Sequence, residues 1–183
     1  MAERKILGID PGTNIMGYGL ISCKANSLEL IKMDVIKLTK LENQTLKLTK
    51  IFDSILELIN LYKPDEFAIE APFYGKNVQS MLKLGRAQGV AMAAALSHNL
   101  PIFEYSPRKI KQSITGNGSA SKDQVASMLF SLMKINESPK YLDATDALAV
   151  AVCHFFQKKT TVSGKSYSGW KSFLSENPAR LAK

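Results

Sequence analysis

Hydrophobic residues recur along the chain with two periods, one typical of strands and one typical of helices. Short apolar runs bounded by turn residues predict five strands, at Lys5–Asp10, Gly17–Cys23, Leu28–Leu38, Glu66–Ala71 and Pro101–Tyr105. Apolar residues three and four apart predict five helices, at Thr45–Tyr62, Asn77–Asn99, Pro107–Ile114, Ser121–Met133 and Asp143–Gln157.

The order of these elements, β-β-β-α-β-α-β-α-α-α, predicts an α/β fold with one mixed five-stranded sheet and helices on both faces. The first three strands are separated by short turns, so we expect them to form an antiparallel meander. The fourth strand follows a crossover helix, and a strand in that position usually lies parallel to its predecessor.

Composition narrows the range of partners. The 183 residues suffice for one domain with a core, and the net charge of +8 favours a polyanion, nucleic acid first. We expect one domain over residues 1–157. Residues 158–183 contain six basic residues and one acidic residue, and we expect them to form a basic tail.

The cysteines and the N-terminus indicate the compartment. Cys23 and Cys153 are far apart and in no zinc-binding spacing, which argues against a zinc site or a disulfide framework and suits a reducing cytosol. The first residues lead into a strand without a signal-peptide core, and the apolar runs are too short to span a bilayer. We therefore expect a cytoplasmic protein with no membrane partner.

Four acidic residues fall at predicted strand ends or on one helix face. Asp10 ends the first strand, Glu70 closes the fourth, and Asp143 and Asp146 lie within one turn of the last helix. Taken singly, each is more simply explained as a turn former, a solvated strand end or a helix cap. If the first and fourth strands are adjacent and parallel, however, Asp10 and Glu70 meet at the edge where open sheets place their sites. The last helix could present its two carboxylates to the same point.

Such a cluster has a chemical consequence. Carboxylates placed together repel one another and need a cation, and ligation by oxygen alone suits Mg²⁺ or Mn²⁺ rather than zinc. Two such ions about 3.5–4 Å apart stabilise the attacking and leaving oxygens of a phosphoryl displacement. With the basic surplus, the cluster predicts metal-dependent cleavage of a phosphodiester.

An ordered series of motifs resembles the RuvC family of Holliday-junction resolvases, from about Ile6 to Phe155. The matching segments are Gly8-Ile9-Asp10-Pro11-Gly12, Gly17-Tyr18-Gly19, Phe67-Ala68-Ile69-Glu70, Leu82-Lys83-Leu84-Gly85, Phe103-Glu104-Tyr105, Gly116-Asn117-Gly118-Ser119 and Asp143-Ala144-Thr145-Asp146. The resemblance implies a ribonuclease H-like fold. It also implies an endonuclease that resolves four-way DNA junctions in recombination and repair by paired, symmetric, two-metal hydrolysis.

The resemblance assigns roles to individual residues. Asp10, Glu70, Asp143 and Asp146 would be the catalytic ligands of two Mg²⁺ ions per site, with Mn²⁺ a substitute. The residues expected to bind DNA are Phe73, Lys76, Lys83, Arg86, Lys111 and Lys122. Phe73 matches an aromatic residue that stacks on bases near the junction centre, although it could also be a core phenylalanine. The implied partners are the junction, a second copy of the chain and the RuvA–RuvB branch-migration complex.

The Asn77–Asn99 helix is the candidate dimer interface. Gly85, Gly89 and several alanines would allow close approach, and Met81, Leu84 and Met92 could supply apolar contact. These small residues could instead pack on the sheet of their own chain.

The chain departs from the family pattern in two places. Ala71-Pro72 replaces a more polar or bulky pair before Phe73, and the fixed proline angle affects where Phe73 points. The segment after Lys158 has no clear family counterpart, although Tyr167, Trp170, Phe173 and Leu174 sit at helical spacing.

Three other interpretations start from the same residues. Asp10-Pro11-Gly12-Thr13 resembles the first phosphate loop of sugar-kinase and actin-like ATPases, but the chain has no second Asp-x-Gly loop and is short for two domains. A ribonuclease H, or a related nuclease acting on another structured nucleic acid, would use the same carboxylates. A junction-binding module with a dead site would not need the full carboxylate set.

Overall fold

The computed structural model describes residues 3–24, 27–72, 77–136 and 140–162. Within them, five strands form one sheet in the order β3-β2-β1-β4-β5. The strands are β1 (Arg4–Asp10), β2 (Ile15–Lys24), β3 (Ser27–Lys37), β4 (Glu66–Glu70) and β5 (Ile102–Tyr105). The helices are α1 (Gln44–Tyr62), α2 (Val78–Leu96), α3 (Pro107–Thr115), α4 (Lys122–Met133) and α5 (Leu142–Val162).

The sheet is mixed. β2 pairs antiparallel with both β1 and β3, whereas β4 lies parallel to β1, and β5 lies parallel to β4. Helices α1 and α2 pack on one face, and α3, α4 and α5 pack on the other. The predicted α/β class, the antiparallel meander and the order of elements are confirmed.

Two helix ends differ from the sequence prediction. α2 ends at Leu96 rather than Asn99, because Asn99 adopts a left-handed φ of 57° and the N–H of Leu100 donates to the carbonyl of Ala95 at 3.1 Å. α5 continues to Val162. The sequence pattern missed this extension because residues 158–161 contain no apolar side chain that would continue the helical period.

Three glycines allow α5 to lie directly on the sheet. A Cβ atom on Gly8 would lie 2.4 Å from a carbonyl oxygen of α5, one on Gly17 would lie 1.9 Å from the carbonyl oxygen of Asp143, and one on Gly19 would lie 2.6 Å from a Cα atom of the helix. A larger residue at any of these positions would push the helix away, and overpacking of this kind typically costs about 1–3 kcal/mol. The glycines of β1 and β2 therefore set the height of α5 above the sheet.

α2 packs over only part of its length. Its buried residues begin at Ala87 and include Gln88 and Ala91. Before that point, Val78 is 65% exposed and Leu82 is 52% exposed. The outward side of α2 has no packing partner within the part of the chain that the structure describes.

Among the described residues, no helix combines the length and the apolarity needed to cross a bilayer.

Candidate active site

β1 and β4 place two carboxylates side by side at the carboxyl edge of the sheet. Ile9 is paired with Ile69, so the next residues of these parallel strands, Asp10 and Glu70, are neighbours. Successive side chains of a strand point to opposite faces. Ile9 and Ile69 lie in the core beneath α1 and α2, so Asp10 and Glu70 both point toward α5.

The start of α5 brings further carboxylates to the same edge. Gly17 is paired with Asp10 and lies against the backbone of Asp143, which places the first turn of α5 over the end of β1. Asp146 lines a cavity of about 230 Å³ together with Asp10 and Glu70. Asp143 lies beside this cavity rather than on its wall, although its charge acts on Asp10. Three of the four predicted carboxylates thus line one cavity, and the fourth lies next to it.

The carboxylates of the cavity are harder to ionise than ordinary carboxylates, because the nearby lysines do not balance burial and mutual repulsion. Burial, followed by the negative charges of Glu70 and Asp146, raises the pKa of Asp10 to about 8. Burial and the charge of Asp146 raise the pKa of Glu70 to about 7. The ammonium of Lys122 opposes both shifts, and that of Lys111 opposes the shift at Glu70. Ionising these carboxylates together therefore calls for an additional cation.

Two lysines line the same cavity, Lys111 from α3 and Lys122 from α4. The Lys122 ammonium forms an ion pair with Asp146, and this contact raises the pKa of Lys122. Ser121 and Gln124 form the predicted capping box, which fixes the first turn of α4. A cation in that turn opposes the helix macrodipole, and the contact with Asp146 offsets this cost.

The donor set suits a hard divalent cation, but the geometry is not preformed for one. The cavity offers carboxylate oxygens, which Mg²⁺ and Mn²⁺ prefer. Within the described ranges, no three Asp, Glu, His or Cys side chains are grouped closely enough to hold one ion as they stand. The Lys122 ammonium is paired with one carboxylate oxygen of Asp146, Oδ2. A metal ion bound at that oxygen would replace Lys122, and an ion shared by the cluster would need the carboxylates to turn toward a common point.

Of the other residues predicted to bind DNA, the two that the structure describes do not line this cavity. Phe73 and Lys76 lie outside the described residues. Lys83 and Arg86 are exposed on α2, which packs on the opposite face of the sheet from α5, and neither lines the cavity. The N–H of Ala71 still donates to the Tyr105 carbonyl at 2.9 Å, so the chain leaves the sheet after Ala71.

The sequence prediction missed a buried contact behind Glu70. Gln88 of α2 is buried, and its side-chain Nε2 donates to Glu104 Oε2 at 3.0 Å and, at 3.5 Å, to the backbone carbonyl of Glu70. A signal was present, because Gln88 falls at helical spacing with the buried residues Ala91 and Ala95.

The chain is similar to known proteins over most of its length. The model of the family "Crossover junction endodeoxyribonuclease RuvC" matches residues 6–154. Curated relatives with the same description include one from Christiangramia forsetii, 59% identical over 98% of this chain and 94% of the relative. Another, from Cytophaga hutchinsonii, is 61% identical over 98% of this chain and 88% of the relative.

These two relatives correct one expectation. Their alignments span 98% of the chain, so most of the segment after Lys158 does have a counterpart in close relatives. The family model ends at residue 154, which explains why the general family pattern contains no such tail.

Solved structures show the same fold. A Thermus thermophilus RuvC in complex with Holliday junction substrate superposes with a TM-score of 0.81 at 29% identity, over 86% of this chain and 96% of that one. The yeast mitochondrial Holliday junction resolvase Ydc2, at 16% identity, shares the fold with a TM-score of 0.63 over 87% of this chain and 81% of that one. Because the family model matches most of its length, the chain belongs to the RuvC family of crossover junction endodeoxyribonucleases.

Proposed function

We propose that the protein resolves four-way DNA junctions in recombination and repair by cutting two opposed strands symmetrically. The observation that carries this proposal is the cavity at the edge of the sheet, where Asp10, Glu70 and Asp146 face Lys111 and Lys122. Carboxylates beside ammonium groups suit a metal-assisted attack on a phosphodiester. The related Thermus thermophilus protein was solved with a Holliday junction, which favours this substrate over another structured nucleic acid.

Asp10, Glu70, Asp143 and Asp146 would hold two Mg²⁺ ions, which Mn²⁺ could replace. When bound, the ions would polarise the phosphodiester and activate water. The raised pKa values of Asp10 and Glu70 support a cation, because a positive ion removes the repulsion that disfavours their ionised forms.

Lys111 and Lys122 would hold the phosphate at the carboxylates. Both ammonium groups already lie at the cavity, and Lys122 would exchange its contact with Asp146 for one with a phosphate oxygen. Phe73 and Lys76 would contact the junction centre, and Lys83 and Arg86 would contact the DNA arms from exposed positions on α2.

Symmetric cutting needs two sites, so we propose a homodimer related by a two-fold axis. The outward side of α2 supports it as the interface, because Val78, Leu82 and Leu96 are all more than half exposed and follow one stripe of the helix. Gly89 lies in the same stripe, and its Cβ would meet no described atom within 4 Å beyond its chain neighbours and the backbone of its own helix. The sequence prediction chose partly different residues: Met92 packs against the core of its own chain, and Met81 and Leu84 are half-buried.

Two further proposals rest on family membership. The RuvA–RuvB branch-migration complex would deliver the junction to the dimer. A cytoplasmic location would match such partners and is consistent with the free, buried state of Cys23 and Cys153.

The decisive experiment maps the cuts on a synthetic mobile four-way junction, with each of the four strands end-labelled in turn. We expect Mg²⁺-dependent cuts at symmetric positions in two opposed strands. Linear duplex and RNA–DNA hybrid of the same sequence are the control substrates, and Asp146→Asn is the matched inactive protein. Equal cleavage of the control substrates would replace the proposal with a general nuclease.

A further inference from the structure

A second group of basic and aromatic side chains lies near the same sheet edge, on the β3 side of Asp10 and away from β4 and β5. The ammonium of Lys37 lies 4.9 Å from the centroid of the Tyr141 ring, and that of Lys140 lies 5.8 Å from the same centroid. We call these three residues the Tyr141 cluster.

The fold ties this cluster to the active site at two points. The carbonyl of Tyr141 accepts a hydrogen bond from the N–H of Ala144, so Tyr141 stands at the start of α5, two residues before Asp143. Lys37 ends β3 and is paired with Ile15 of β2.

The distance to the carboxylates follows from the register of the sheet. Gly17 is paired with both Asp10 and Val35, so Lys37 is two strands across and two residues further along than Asp10. With strand spacings of about 4.8 Å and a rise of about 3.4 Å per residue, the two backbones are roughly 12 Å apart. A DNA strand covers that distance within a few nucleotides.

The charge of the cluster has no ion-pair partner within the described part of the chain. Among the described residues, neither Lys37 nor Lys140 takes part in a salt bridge. The charge of Asp34 acts on Lys37 and Tyr141, but both lysines are exposed. Two ammonium groups on one ring repel each other, and an exposed cation–π contact contributes only about 0.5–1 kcal/mol. A phosphodiester would supply the missing negative charge.

We propose that the Tyr141 cluster binds the phosphate backbone of the cleaved strand, a few nucleotides from the cut. Lys111 and Lys122 hold the strand on the α3 and α4 side of the cavity, and the cluster holds it beyond Asp10 and Asp143. The strand then crosses the carboxylates between two basic contacts. This inference rests on the proposed function for its substrate.

The test compares the double variant Lys37→Ala/Lys140→Ala with wild type and with Lys32→Ala. Lys32 is also exposed on β3, but its side chain belongs to the opposite face of the sheet. Affinity is measured in EDTA against salt, on a four-way junction and on linear duplex. Each lost phosphate contact lowers the slope of log K against log salt by about 0.9, so we expect a decrease of about 1.8 for the double variant and none for Lys32→Ala.

Tyr141→Ala removes no charge and tests whether the ring organises the lysines. We expect weaker binding for this variant and a smaller loss for Tyr141→Phe, which keeps the ring but removes the hydroxyl whose contact with Lys37 raises the pKa of that lysine. Thermal unfolding of each variant shows whether the chain still folds.

Unchanged salt slopes in a folded double variant would overturn the inference and leave a cation–π contact of structural value only. The two proposals fail separately. If wild type shows no preference for the junction, but the double variant still lowers the salt slope on duplex, the proposed function fails and the Tyr141 cluster remains a DNA contact.

Discussion

Helices α5 and α2 are both rich in small residues, yet the two use them in opposite ways. In α5, Ala147 and Ala151 are buried against the glycines of β1 and β2. In α2, a Cβ atom on Gly85 or Gly89 would meet no described atom within 4 Å beyond its chain neighbours and the backbone of its own helix. Small residues at helical spacing allow a helix to lie close to another surface, but they do not show which surface that is or whether it belongs to the same chain.

The two helices therefore serve different parts of the proposed function: α5 positions carboxylates, and α2 offers a surface to a second copy of the chain. α5 lies low on the sheet, so the carboxylates at its start reach those of β1 and β4. α2 leaves its outward stripe exposed, so it can meet a second copy of the chain. Changes in α5 should therefore impair every cut, whereas changes in the outward stripe of α2 should impair only the pairing of cuts.

The largest effect is expected for Asp146→Asn. The substitution removes one carboxylate charge from the cavity wall, and loss of metal-assisted stabilisation of several kcal/mol corresponds to a fall in rate on the order of 10³-fold. Junction binding should remain, or become tighter, because negative charge is removed. Single-turnover cleavage and gel-shift assays measure the two properties. Asp53→Asn, an exposed aspartate of α1 on the opposite face of the sheet, is the matched control and should keep wild-type cleavage; equal losses would contradict a role for Asp146 at the cavity.

Next in size is Gly17→Val, which tests the close approach of α5. The added side chain would overlap the backbone of Asp143, so we expect a loss of about 3 kcal/mol or more in unfolding free energy and a loss of cleavage. Urea denaturation and the cleavage assay check both. A Gly17→Val protein of wild-type stability would contradict the close contact between α5 and β2.

Leu82→Glu should convert the dimer to a monomer without unfolding the chain. Leu82 is 52% exposed in the outward stripe of α2, so a charge there opposes the apolar contact with a partner and leaves the fold intact. On a supercoiled plasmid with a cruciform, paired cuts give linear product and single cuts give nicked circles, and we expect the variant to shift the product toward nicked circles. Sedimentation measures the oligomeric state. Leu46→Glu, also exposed but on α1, is the control and should stay dimeric.

The sequence predicted most of this site because strand periodicity and strand order are local or topological properties. Asp10 and Glu70 could be placed together from two strand ends and one crossover. The different positions of Asp143 and Asp146 could not be predicted, because they depend on how α5 is rotated and lowered onto Gly17. The ion pair of Lys122 with Asp146 joins residues 24 apart in sequence and arises only when α4 packs beside α5.

The exposed side of α2 could not be predicted from the sequence either. Its apolar and small residues surround most of the helix, so the pattern could not separate the side that packs on the sheet from the side left exposed. Met92 was therefore assigned to the interface although it packs on its own core.

A smaller effect concerns pH. The pKa values of Asp10 and Glu70, about 8 and about 7 in the folded protein, lie above their ordinary values of 3.8 and 4.5. At pH values between the ordinary and the raised pKa, Asp10 and Glu70 stay protonated in the native state but are ionised in the unfolded chain. The free energy of unfolding without metal should therefore fall as pH rises from about 4 to about 8. Mg²⁺ should restore stability at pH 8, because it binds the native state. Thermal unfolding in EDTA and in Mg²⁺ measures this, and Asp10→Asn should weaken the pH dependence.

The smallest effect is expected for Gly89→Ala, and its sign opposes that of the glycines under α5. Beyond its chain neighbours and its own helix backbone, the new methyl group meets no described atom within 4 Å, and alanine favours a helix over glycine by about 1 kcal/mol. In the monomeric Leu82→Glu background we expect the melting temperature to rise by about 2–4 °C, whereas Gly8→Ala should lower it.

In the dimeric protein, a higher dissociation constant for Gly89→Ala would locate the close approach of the two α2 helices at Gly89. A lower melting temperature in the monomer would mean that Gly89, like Gly8, already faces a surface of its own chain.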